Sequence, residues 1–142
     1  PVLHKVFNVE KEKGLTHYLC FDEISIDEIS KRTEVDNLNV ITCGAIPPNP
    51  SELLASAKME NLINNLKDKF DVILFDAPPI MAVTDAVLMS KYISQFIMVV
   101  RVGVTDKGGL HSAVSLMDNV DSKICGFVLN ALDYNNSYYY SS

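Results

Sequence analysis

Apolar residues fall into two kinds of run along this chain. Short unbroken runs stop at turn formers, and longer stretches repeat every three to four positions. The first kind predicts strands buried on both faces, the second amphipathic helices. The sharpest unbroken run is Val72, Ile73, Leu74 and Phe75, which follows Asp71, meets Asp76 and is then broken by Pro78 and Pro79. Three more runs predict strands: residues 38–43 before Gly44, residues 96–100 before Arg101, and residues 124–129 before Asn130.

Helical spacing fills the intervals. Val2, Leu3, Val6 and Phe7 predict one or two turns, and residues 14–19 a small helix with Thr16 as its cap. The acidic stretch 22–36, with Ile24, Ile26 and Ile29 interspersed, reads as a helix over a sheet edge or a long surface excursion. The prolines of 47–50 force an extended loop, after which Asn49 suits a helix cap, Pro50 the first helical position and Glu52 the third place after the cap. One helix over 50–70 should then bury Leu53, Leu54, Ala57, Leu62, Ile63 and Leu66 and leave Lys58, Glu60, Asn64, Lys67 and Asp68 in water. A helix capped by Thr84 or Asp85 runs to Ile93, and another spans 106–119 with Leu110, Ala113, Val114 and Met117 on one face and Gly108–Gly109 weakening its start. Residues 133–142 have no apolar period. This alternation predicts an α/β fold: a parallel sheet with helices on both faces, in one portion over 1–132, followed by a flexible tyrosine-rich tail at 133–142.

Composition changes the picture in three places. A net charge of −6 with no basic patch argues against a nucleic-acid binder. Cys20, Cys43 and Cys125 are odd in number and far apart, which argues against a disulfide framework or a zinc ribbon. His17 and Cys20 share a helix face, but two ligands without a third are weak, and a packed surface turn is the better reading. No apolar run approaches the ~18–20 residues of a membrane span, and these residues predict no signal peptide among them. Pro1–Val2–Leu3 reads like the middle of something.

The candidate chemistry stands at the strand ends. Asp76, Arg101 and Asn130 each terminate an apolar run, so a parallel sheet would set them along its carboxyl rim, where open α/β sheets bind ligands. A carboxylate there holds a hydrated magnesium ion, a guanidinium faces phosphate, and an amide reads a purine edge.

With these residues, three segments resemble the bacterial tyrosine kinases, the P-loop kinases of capsular and exopolysaccharide export: 44–54 (Gly-Ala-Ile-Pro-Pro-Asn-Pro-Ser-Glu-Leu-Leu), 70–79, and Val83–Thr84–Asp85–Ala86. The 99–105 and 126–130 segments and the tyrosine-rich end follow in the family's order. The resemblance covers nearly the whole chain, and its proline-rich segment is the most specific piece. It implies a kinase that moves the γ-phosphoryl of ATP to tyrosines in the tail of a neighbouring copy. Asp76 would be the Walker B acid acting on Mg2+, Asp85 and Arg101 would stand near the site, and Asn130 near the adenine. Tyr138, Tyr139, Tyr140 and Tyr134 would accept phosphate. A membrane activator region or subunit would be a partner, placing the chain in the cytoplasm at the inner face of the membrane.

The family also carries a G-x-x-x-x-G-K-[ST] loop and a second acidic strand before this region, and neither occurs in these residues. The expectation is therefore the C-terminal part of such a kinase domain, lacking its N-terminal strands, inactive alone and prone to self-association through bare strand edges. The other readings are an ATPase switch of the partitioning and septum-placing kind and a non-catalytic interaction module.

Overall fold

The computed structural model describes residues 2–80 and 88–132. They gather into two compact units, the first ending at Phe75 and the second starting at Asp76.

The first unit holds α1 (Leu3–Val6), α2 (Leu15–Cys20), α3 (Ile26–Ile29), β1 (Ser30–Arg32), β2 (Asn39–Ile41), α4 (Pro50–Leu54) and α5 (Ala57–Lys67). Helix α2 starts at Gly14 rather than at a Thr16 cap. Its first amides are taken by backbone instead: Leu15 N donates to the Thr42 carbonyl at 2.8 Å and Thr16 N to the Cys43 carbonyl at 3.0 Å. Gly14 is buried against this junction, and a methyl group there would overlap the Thr42 carbonyl. Thr42 is itself buried and donates its hydroxyl to the Lys11 carbonyl at 3.3 Å.

The stretch 22–36 is not one helix. Ser25 starts a single turn, where the Glu28 carboxylate accepts from the Ser25 N–H at 2.8 Å and from its hydroxyl at 3.1 Å. The chain then turns directly into β1, which pairs antiparallel with β2: Ser30 opposite Ile41, Lys31 opposite Val40, Arg32 opposite Asn39. The run 38–43 is thus half of a hairpin, not a strand of the parallel sheet. Local turn chemistry overrode the helical period, since the Thr33 hydroxyl accepts from Val35 N and donates to the Leu38 carbonyl, each at 3.1 Å, and Asn37 takes the left-handed φ of 61°.

The expected 50–70 helix is also two. Ser56 donates to the Leu53 carbonyl at 2.7 Å and accepts from Met59 N at 3.2 Å, so it closes α4 and caps α5. Pro50 is at the start of α4 as expected, and Asn49 spends its side-chain amide on Glu52 at 2.7 Å. Leu62, Ile63 and Leu66 are buried, with Leu19, Ile29, Val40 and Met59. The break swings Ala57 outward and leaves Leu53 and Leu54 half-buried. Lys58 is not free in water: it pairs with Asp22 at 2.8 Å and lies 5.4 Å from the Tyr18 ring centre.

Residues 72–79 belong to no strand or helix, and Val72 and Leu74 are 72% and 84% exposed. The expectation of a buried strand fails here because a strand exists only through its ladder, and no described residue offers these amides and carbonyls a partner.

The second unit holds β3 (Phe96–Arg101), α6 (Lys107–Asp118) and β4 (Ile124–Asn130), with a 3-10 turn at Ser90–Tyr92. Asp106 caps α6, accepting from Gly109 N at 2.8 Å, which offsets the two glycines of the first turn. Strands β3 and β4 pair in parallel, as an α/β fold requires, and Met89, Val100, Ala113 and Met117 are the buried residues. The start of the expected helix at Thr84 or Asp85 lies outside the described residues.

Two predictions follow from these contacts. Gly14→Ala should destabilise the chain by about 1–3 kcal/mol in urea unfolding, because the methyl must displace backbone rather than a side chain; an unchanged midpoint would contradict the junction. The Glu28 carboxyl is held below the usual glutamate range by the Ser25 N–H first, then by Lys13 and the Ser25 hydroxyl. Its contribution is therefore present above the unfolded-state value and lost as pH falls through the lowered folded-state value. A carboxyl NMR titration should give Glu28 a midpoint below that of a free glutamate, moving upward in Ser25→Ala.

Candidate functional site

The carboxyl end of the parallel pair is built by register. From Ile97 opposite Gly126, the ladder runs through Val99 opposite Val128 to Arg101 opposite Asn130. The two polar strand-end residues therefore stand side by side, both exposed.

The turn after β3 is held from both strands. Val102 N donates to the Asn130 carbonyl at 3.0 Å, Arg101 N to the Thr105 hydroxyl at 3.2 Å, and Thr105 N to the Arg101 carbonyl at 2.9 Å. Gly103 sits at φ 77°, a conformation that costs a side chain but not glycine. After β4 the Asn130 Oδ1 accepts from Ala131 N at 2.8 Å, with Ala131 itself left-handed at φ 59°. One lone pair of the Asn130 amide oxygen is thus engaged, and its NH2 has no partner among the described residues. The Arg101 guanidinium has no partner among the described residues. The rim offers one cation and one amide donor, a pair that suits an anion beside a hydrogen-bond acceptor.

Asp76 follows the apolar run 72–75, exposed and without a hydrogen bond or ion pair among the described residues. Asp85, Tyr134, Tyr138, Tyr139 and Tyr140 lie outside them. Thr105 and Ala131 were not singled out by sequence reasoning. A threonine two residues after a glycine at a strand end was the available signal for the first, and nothing marked the second.

In the first unit His17 and Cys20 do stand on one helix. No group of three or more His, Cys, Asp or Glu able to hold a metal ion occurs among the described residues. His17 presses its buried Nδ1 toward Gly44, as in a packed turn. The proline segment walls an apolar cavity of about 180 Å³ with Leu15, Leu19, Ile46, Pro47 and Leu53. No described helix is long and apolar enough to cross a membrane.

No family model matches the chain. It is 37% identical over 142 residues to a protein of Staphylococcus aureus named as a candidate tyrosine-protein kinase, CapB, across 99% of this chain and 62% of that protein. Against the tyrosine-protein kinase YwqD of Bacillus subtilis it is 33% identical over 130 residues, across 92% of this chain and 54% of that one. Among solved structures, the kinase domain of the Escherichia coli tyrosine kinase ETK superposes with a TM-score of 0.88 at 29% identity, covering 99% of this chain and 55% of that chain. The chimerical protein CapA2B2 gives 0.88 at 33% identity, covering 93% and 58%. The chain spans a little over half the length of these relatives.

The rim continues into an uncovered face. Ile97 and Val99 are 60% and 62% exposed, with Val128 beside them, and among the described residues β3 and β4 each keep an unpaired edge. Such a face and edge promote self-association. Analytical ultracentrifugation should show concentration-dependent assembly of the chain, reduced in a Val99→Lys/Val128→Lys variant; a monomer at every concentration would contradict this.

Proposed function

We propose that the chain is part of the kinase domain of a bacterial tyrosine-protein kinase, the portion carrying the metal-binding acid, the base-side rim and the acceptor tyrosines of an ATP-dependent protein-tyrosine kinase. The observation that carries this reading is the match over 99% of the chain to CapB. The pairing of Arg101 with Asn130 supports it from geometry.

The reaction moves the γ-phosphoryl of ATP to a tyrosine hydroxyl, which gives up its proton, and leaves ADP. Catalysis of this kind is mostly positioning and charge neutralisation. Magnesium binds through one or two carboxylates plus phosphate oxygens and water, so one exposed, unpartnered carboxylate at Asp76 fits it. Bound there, the ion would neutralise charge on the transferring phosphates. In this reading Arg101 would face the phosphates, the Asn130 amide would serve the adenine, and Asp85 would act near the site. Tyr134, Tyr138, Tyr139 and Tyr140 receive phosphate from a second copy of the kinase. A membrane activator region or subunit sets the kinase at the inner face of the membrane, and the phosphorylation regulates capsular or exopolysaccharide synthesis and export.

These 142 residues contain no G-x-x-x-x-G-K-[ST] cradle for the phosphates. The chain alone is therefore expected to form no phosphotyrosine with Mg2+ and ATP. In the longer parent, Asp76→Asn should lower transfer about 100-fold or more, and replacing the four tail tyrosines by Phe should remove the acceptors. Phosphotyrosine formed by the chain alone, or an Asp76→Asn parent of unchanged rate, would overturn the respective assignment.

A further inference from the structure

The hairpin of the first unit carries a polar site that the reaction does not use. Asp27, Ser30, Arg32, Asn39 and Phe70 line a concavity of about 420 Å³, within the range of small-ligand sites. The hairpin builds it by register. Ser30 and Arg32 are two apart on β1 and so share a face, and Asn39 is the direct partner of Arg32 across the ladder. Lys31 lies on the opposite face, across from the buried Val40.

The side chains of Ser30, Arg32 and Asn39 have no hydrogen-bond or ion-pair partner among the described residues. Asp27, the one acid of the site, is neutralised by Lys69 at 2.9 Å. The concavity thus holds an uncompensated guanidinium with a hydroxyl and an amide as further donors. Phe70, half-buried, adds an aromatic wall. A guanidinium fork matches two oxygens of a phosphate, the hydroxyl and amide suit the third, and an aromatic ring packs against a ring. A carboxylate would leave part of this donor set unused.

We propose that this concavity binds phosphotyrosine, and that its occupant is the phosphorylated 133–142 segment of a second copy. The chemistry of the site stands on the lining residues alone. The choice of occupant rests on the reading of the chain as part of a tyrosine kinase, and on charge: a phosphorylated tail is a polyanion, and the one unpaired charge lining the site is the Arg32 guanidinium, since Asp27 is paired with Lys69. Docking there would hold the product tail after transfer.

The test uses the 142-residue chain and synthetic 133–142 peptides, with no ATP present, so its outcome is independent of whether the parent transfers phosphate. The peptide phosphorylated at Tyr138 should shift the NMR signals of Ser30, Arg32, Asn39 and Phe70. The unphosphorylated peptide should bind at least tenfold more weakly. Arg32→Ala should lose tenfold or more in phosphopeptide affinity with the Ile29 and Val40 signals unmoved, Arg32→Lys should restore part of it, and Asp27→Asn, which frees Lys69, should tighten binding. Equal binding of the two peptides, equal binding by Arg32→Ala, or competition by inorganic phosphate as effective as by free phosphotyrosine would overturn the site. A scrambled phosphopeptide of equal affinity would overturn the tail as its occupant.

Discussion

The parallel ladder between β3 and β4 is the constraint on which the reading of the rim depends. A parallel ladder fixes which residues are neighbours along its whole length, and a slip of one residue would turn every side chain to the opposite face. Here the register carries Ile97, Val99 and Arg101 on one exposed face and delivers Arg101 beside Asn130 where both strands stop. The turn that follows is then pinned to both strands through Val102 N and Thr105. A guanidinium and an amide far apart in sequence thereby become one local surface.

Much of the second unit was legible because its signals are local and redundant. Each of β3 and β4 is an unbroken apolar run with a polar stop, and α6 has both a period and an Asp cap. The first unit was less legible. Ser56 looks like an ordinary helix residue until its hydroxyl is seen bonding backward to Leu53 and accepting from Met59. Strand β1 is only Ser30–Arg32, too short to show an alternation of its own. It exists because Thr33 and Asn37 close a turn that brings it against β2. Such choices are decided by side-chain bonds to backbone, which hydrophobic patterning does not register.

The site was legible as residue types rather than as geometry. Strand ends pointed to Asp76, Arg101 and Asn130, and the structure makes partners of the last two. The segment before Asp76 went wrong for a physical reason: an apolar run identifies a strand that will be buried on both faces only if neighbours supply the ladder, and a sequence pattern cannot show whether they do. Val72 and Leu74 remain exposed, and the chain spans 62% and 54% of the length of CapB and YwqD.

The bond from Ala131 N to the Asn130 side chain has a consequence for selectivity. An asparagine free to flip can present either its oxygen or its nitrogen, and so accepts ligands of either polarity. The bond from the next backbone amide favours one orientation and turns the NH2 away from that amide. The NH2 is then aimed by a backbone turn rather than by a second side chain, and offers its donors to lone pairs such as ring nitrogens.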